Sequence, residues 1–185
     1  MIADNSLNNQ KSGRGGIAKR FLALLPESAP SKIYNAARKV PIARDILGAF
    51  VKRMVPEQIT TADGVIYLDP TDMAVSGALA LGKFEPYETS VFRSIVKPGM
   101  AVIDIGAHIG YYTLMAAAQV GPTGRVFAFE PEPKNYALLS KNISANNITT
   151  ITALNTALSD ASGTRELFLE KYNKGHHSFA PNARS

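Results

Sequence analysis

Residues of the right type and spacing for chemistry gather between positions 104 and 130. The apolar run "AVIDIG" carries Asp104 near its end, and Gly106 and Gly110 bracket a short loop before the apolar segment "YYTLMAAAQV". One segment later "RVFAFE" ends in a second acid, Glu130. Open parallel sheets bind ligands outside the carboxyl ends of their strands, so acids at two successive strand ends and a glycine-hinged turn mark a ligand edge. A strand-end aspartate alone is often only a helix cap. The combination of acid, Gly-x-x-x-Gly and a second acid one helix later is far more selective.

A dinucleotide loop keeps a middle glycine so that backbone can approach a pyrophosphate. His108 stands in that place, which argues against pyrophosphate and makes a nicotinamide-dependent oxidoreductase the weaker alternative. S-adenosylmethionine has no phosphate. Its amino-acid end needs backbone groups and a carboxylate, and its ribose needs an acidic acceptor. Asp104 can face the ammonium, directly or through water. The tight turn at Gly106 lets the chain pass close to the ligand. Gly110 lets the following helix start pack against the strand, and that helix N-terminus suits the tail carboxylate. Glu130 lies where an acid that binds ribose hydroxyls is expected.

The elements that position these residues alternate. "AVIDIG" and "RVFAFE" read as buried strands, "YYTLMAAAQV" as a helix closed by "GPTG", and "ITALNTALSD" as a third strand. Between the last two, "PEPKNYALLSKNISANN" reads as a helix with Tyr136, Leu139 and Ile143 on one face and paired asparagines as its stop. Strand, helix, strand, helix, strand implies a right-handed parallel unit. Upstream, "QITTADGVIYLDPTD" holds a hairpin signal at Asp63-Gly64. "FEPYETSVFRSIV" suits a helix with Val91, Ile95 and Val96 on one face, stopped by Pro98 and Gly99. Downstream, "TRELFLE" alternates like a half-exposed strand.

Taken together, "VIDIGAHIGYYT", "GRVFAFEPEPKNYALLSKNI" and "ALSD" resemble the FkbM family of S-adenosylmethionine-dependent methyltransferases. "GKFEPYET" and "KPGM" resemble that family's approach to its first strand, and the resemblance runs from about Ile59 to Ser178. It implies a class I, Rossmann-like methyltransferase fold and O-methylation of a hydroxyl on a small molecule or glycan. It also implies that Asp104, Gly106, Gly110 and Glu130 bind S-adenosylmethionine. Ala107, His108, Tyr111 and Thr113 are their loop and helix-start neighbours. Glu85 matches an acidic residue before the first strand that closes over the amino-acid end, and Ser159 and Asp160 lie near the expected adenine edge. His108 departs from the family, which more often has asparagine there; both residues hydrogen-bond in tight loops.

Composition limits the remaining choices. The 185 residues carry a formal net charge of +5 and no cysteine, which excludes disulfides and thiolate metal sites and fits a reducing, cytoplasmic setting. No apolar run is long enough to span a bilayer. Residues 1–58 hold ten Lys/Arg against four Asp/Glu, and residues 59–185 hold ten against eleven. The excess therefore belongs to a basic N-terminal extension, expected to be polar and disordered over 1–16 and then helical in pieces. Ile42, Ile46, Ala49, Phe50 and Met54 form one apolar face there, suited mainly to packing and secondarily to weak membrane-surface contact. No aromatics interleave with the basic residues, so nucleic acid is not an expected partner.

A hydroxyl acceptor needs its proton removed by a base or a metal. The only histidines are His108, best read as a loop hydrogen-bonder, and the adjacent His176 and His177, which would point in different directions from a loop. No metal is expected, and the sequence assigns neither a catalytic base nor an oligomeric state. The parallel sheet is expected to be incomplete. The family's later "D-x-I-K-x-D-x-E-G" type segment has no counterpart before "FAPNARS". Residues 59–185 therefore read as the N-terminal part of a methyltransferase domain, truncated or a fragment. The alternative is a fragment that binds the cofactor without catalysis.

Overall fold

The computed structural model describes residues 55–164, 166 and 167. The helical pieces and apolar face expected before residue 55, most of "TRELFLE", and His176 and His177 lie outside the described residues.

Strands β1 (Gln58–Thr61) and β2 (Gly64–Tyr67) form the expected antiparallel hairpin, with Thr61 opposite Gly64. Gly64 takes φ +130, which a side chain would resist. Thr61 Oγ1 closes the turn by donating to the Gly64 carbonyl at 2.9 Å and accepting from the Asp63 N–H at 3.2 Å. A π-helical turn (Met73–Gly77) and helix α1 (Ala78–Leu81) follow. Buried Asp72 caps the π turn, its carboxylate accepting the N–H groups of Ala74, Val75 and Ser76.

Helix α2 (Pro86–Ile95) ends before Pro98, as expected, and Gly99 turns the chain at φ +82. Its packing face differs from the one expected. Val91 and Ile95 are exposed, and only Val96, past the helix end, is buried. The helix instead turns Thr89, Phe92 and Arg93 inward. The Thr89 hydroxyl hydrogen-bonds Tyr111 Oη at 3.2 Å, the Phe92 ring lies 5.1 Å from the Tyr112 ring, and the Arg93 guanidinium forks onto the Asp63 carboxylate. Polar and aromatic contacts set this helix's rotation, which an aliphatic count cannot detect.

Strands β3 (Ala101–Ile105), β4 (Arg125–Phe129) and β5 (Ile151–Leu154) form a parallel sheet in that order, connected by helices α3 (Tyr111–Val120) and α4 (Pro133–Ala145). This is a Rossmann-like α/β unit. Pro133 and the Glu132 side chain start α4, and Asn146 followed by Asn147 at φ 53 ends it. Val126, Ala128, Val102, Ile151 and Ala153 pack with α3 and α4 around Ala116, Val120 and Leu139. Fully buried side chains such as Leu114 and Leu139 each contribute roughly 1.5–3 kcal/mol.

Two expectations for the sheet are corrected. β3 and β4 are buried on one face only among the described residues: Ile103 is 62% and Ile105 67% exposed, and Phe127 and Leu154 share that open face. Side chains alternate across a strand, so helices covering one side leave every second residue out. β5 is also shorter than "ITALNTALSD". It stops at Leu154 because Asn155 turns aside to donate to the carbonyls of Glu130 and Pro131, at 2.7 and 3.2 Å.

Candidate functional site

The loop after β3 crosses over the end of β4, and main-chain bonds fix its path. The N–H groups of Gly106 and Ala107 both donate to the Phe129 carbonyl, at 2.9 and 3.0 Å. The His108 N–H donates to Glu130 Oε2 at 2.8 Å, and the Gly110 N–H closes back on the Ala107 carbonyl at 2.8 Å. The two glycines serve different ends. A Cβ on Gly106 (φ +79) would meet no atom of the described residues within 4 Å, so its backbone faces open space among them. A Cβ on Gly110 (φ +94) would stand 2.6 Å from Leu139 Cδ1. Close packing at Gly110 is thus against helix α4, not against the strand.

Asp104 and Glu130 end adjacent strands, as the register Asp104 opposite Ala128 and Ile105 opposite Phe129 requires. Half-buried Asp104 accepts a short hydrogen bond from the hydroxyl of buried Thr113, on the first turn of α3. Burial raises its carboxyl above the ordinary aspartate range, the Thr113 hydroxyl opposes this, and the nearby Glu130 charge adds to it. Glu130 is buried; Oε2 takes the His108 N–H, and Oε1 takes the Glu132 N–H at 2.9 Å. Among the described residues each of its oxygens accepts one bond and keeps one lone-pair direction. This carboxylate ties the loop to the start of α4.

The other expected positions are distributed around this centre. Ala107 is buried in the cluster beneath the loop. His108 sits at φ 51, a left-handed conformation that His, Asn and Asp tolerate better than most residues. Its Nε2 lies 3.9 Å from Asp72 Oδ2, an ion pair whenever the ring is protonated. Tyr111 packs edge-on against Phe84 at 5.3 Å, on the helix side of the site. Glu85, at φ 41 and exposed, accepts from the Tyr112 hydroxyl at 2.8 Å. Burial first, and this bond second, push the Tyr112 phenol up to about 12. Ser159 and Asp160 are exposed beyond β5, with Ser159 Oγ donating to Asp160 Oδ1 at 3.0 Å.

Four residues of this assembly escape the sequence reading. Asp72 reaches the loop through His108, and Asn155 holds the end of β4. Asn142 on α4 and Asn146 at its C-cap, legible in the sequence only as part of the helix stop, bind the backbone of β2. The available signal was the i, i+4 spacing of the pair.

Among the described residues no three His, Cys, Asp or Glu side chains are grouped to hold a metal, and no helix is long and apolar enough to cross a membrane. The chain is similar to "Methyltransferase sdnD" of Sordaria araneosa, 36% identical over 67 residues, which cover 36% of this chain and 26% of that protein. It is also similar to Protein-L-isoaspartate O-methyltransferase 1 of Arabidopsis thaliana, 43% identical over 51 residues, covering 28% of this chain and 22% of that protein. It thus spans about a quarter of the length of these two curated relatives. Among solved structures it resembles Pyrococcus horikoshii TYW2 in complex with MeSAdo, at 23% identity and a TM-score of 0.43, over 76% of this chain and 53% of that one. From Asp104, one residue before the end of β3, residues 104–185 match the family model described as Methyltransferase FkbM domain.

Proposed function

We propose that this chain serves methyl transfer from S-adenosylmethionine to a hydroxyl of a small molecule or glycan, in the cytoplasm, with the loop 104–110 as the donor site. The observation that carries the reading is the open space over Gly106, flanked by two strand-end carboxylates. The residues fit the donor. A cation beside Asp104 would offset the burial that disfavours its charged form. The free lone pairs of Glu130 suit ribose hydroxyls, and the α3 N-terminus suits a carboxylate. Bound there, the donor supplies an electrophilic methyl group on a sulfonium. The chain contributes alignment, which can supply roughly 7–11 kcal/mol of a two-reactant barrier. His108 serves the loop through its backbone N–H and its left-handed conformation, and no base is assigned to it.

Calorimetric titration of the full chain with S-adenosylhomocysteine and, separately, NAD tests the reading. Saturable binding of the first alone is expected, weakened at least about tenfold in the double variant Asp104→Ala, Glu130→Ala, the loss of charge-assisted bonds. Preference for NAD, or a folded double variant with unchanged affinity, would overturn it. Transfer of a labelled methyl group to hydroxyl acceptors then tests the chemistry.

A further inference from the structure

Two asparagines toward the C-terminal end of helix α4 bond the hairpin backbone, and one of them also reaches the loop. Val65 and Tyr67 of β2 lie two residues apart and present their amides along one edge, while Ile66 stands opposite Ile59 of β1. Asn146 closes on Val65 with two bonds, Oδ1 accepting its N–H at 2.8 Å and Nδ2 donating to its carbonyl at 2.7 Å. Asn142 does the same at Tyr67, accepting at 2.7 Å and donating at 3.2 Å. Two side-chain amides thus take the place of a neighbouring strand along β2.

Asn142 does one thing more. Its remaining N–H donates to the Ile109 carbonyl at 2.7 Å, inside the glycine loop. The Asn146 counterpart instead returns to the Asn142 carbonyl of its own helix, at 2.7 Å. Both of Asn142's donors and its acceptor are therefore engaged, and the side chain is fully buried. Leu139, three residues earlier on α4, closes on Gly110. Consecutive residues of the loop end, Ile109 and Gly110, thus rest on adjacent positions of one helix face.

We propose that Asn142 is a positioning residue for the donor loop, holding the Ile109 carbonyl, whereas Asn146, with the same bonds to the hairpin, has no part in donor binding. The inference rests on the reading of the loop as the donor site. Its mechanism is local: without the anchor the segment 107–110 gains freedom, and the donor must then restrain it on binding.

The full chain and the variants Asn142→Ala, Asn142→Asp and Asn146→Ala would be compared by amide hydrogen exchange and by S-adenosylhomocysteine titration. Asn142→Asp keeps the side chain's shape and its acceptor for the Tyr67 N–H, and turns an oxygen on the Ile109 and Tyr67 carbonyls. Asn142→Ala buries no charge and guards against an Asp variant that fails to fold. In both Asn142 variants the His108 and Gly110 amides are expected to exchange about tenfold faster relative to Val126 in β4, with donor affinity falling about tenfold, the scale of one buried bond. Asn146→Ala is expected to lower overall stability while leaving both ratios within about twofold. A purely structural role would move loop and sheet amides together. Equal effects of the Asn142 and Asn146 variants on the loop, or unchanged loop exchange in both Asn142 variants, would overturn the inference. A wild-type chain that fails to bind S-adenosylhomocysteine would overturn the donor reading instead, and the exchange ratios would still decide the anchor.

Discussion

Adding one methyl group at Gly110 tests whether helix α4 sets the shape of the loop. The Cβ of Gly110→Ala would stand 2.6 Å from Leu139 Cδ1 on a backbone at φ +94. Holding a side chain in that conformation costs about 1–3 kcal/mol. Forcing a methyl into the filled core around fully buried Leu139 adds about 1–3 kcal/mol. The combined loss is therefore about 2–6 kcal/mol, a large part of the 5–15 kcal/mol typical of a domain. Gly106→Ala carries only the backbone part, about 1–3 kcal/mol, since none of the described residues lies within 4 Å of its Cβ position. Urea unfolding followed by circular dichroism would give both losses. The midpoint should fall further for Gly110→Ala, while Gly106→Ala should lose more donor affinity per unit of stability lost. In a Leu139→Val background, which removes the clashing atom, the methyl at 110 should cost only its backbone share. An undiminished cost there, or a greater stability loss from Gly106→Ala, would refute the argument.

Thr113→Val preserves shape and deletes the hydroxyl that Asp104 accepts. It should cost about 1.5–3 kcal/mol while Asp104 is charged and less once it is protonated, so the loss measured by urea unfolding should shrink on acidification. Asp104 itself titrates above its ordinary range in the folded state. The native chain therefore holds that proton more tightly than the unfolded chain, and stability falls as pH rises through the window from the ordinary to the raised value. Asp104→Asn should lack this slope and exceed the wild type in stability at neutral pH, whereas donor affinity should fall. Glu85→Gln should bring the Tyr112 phenol down from about 12, since Glu85 raises it through both its hydrogen bond and its charge. Ultraviolet titration of the tyrosines would report this.

Legibility in the sequence followed the range of the forces involved. Helix α3 was readable end to end because "YYTLMAAAQV" is mostly apolar and bounded by Gly110 and Gly121. The hairpin turn was readable because Asp63-Gly64 meets a backbone demand within four residues. The loop's two acids and two glycines were legible as a spacing, and the register of β3 on β4 brings the acids to neighbouring strand ends. Coverage of the sheet was not legible. Whether Ile103 and Ile105 are buried depends on what packs over them, and their own residue types are the same either way. The face of α2 was misread because Thr89, Phe92 and Arg93 engage specific partners while Val91 and Ile95 do not. Asn142 was hidden for a related reason. Periodicity counts asparagine as a solvent residue, and only the bare backbone edge of β2 makes a buried amide worthwhile.

The route of the glycine loop is written in main-chain atoms: three of its N–H groups end on the Phe129 carbonyl and the Glu130 carboxylate, and a fourth on its own Ala107 carbonyl. None of those bonds uses the identity of residue 108. Relatives can therefore exchange histidine for any residue that accepts a left-handed turn without rerouting the chain, so divergence there would change what meets buried Asp72 and leave the loop's path in place.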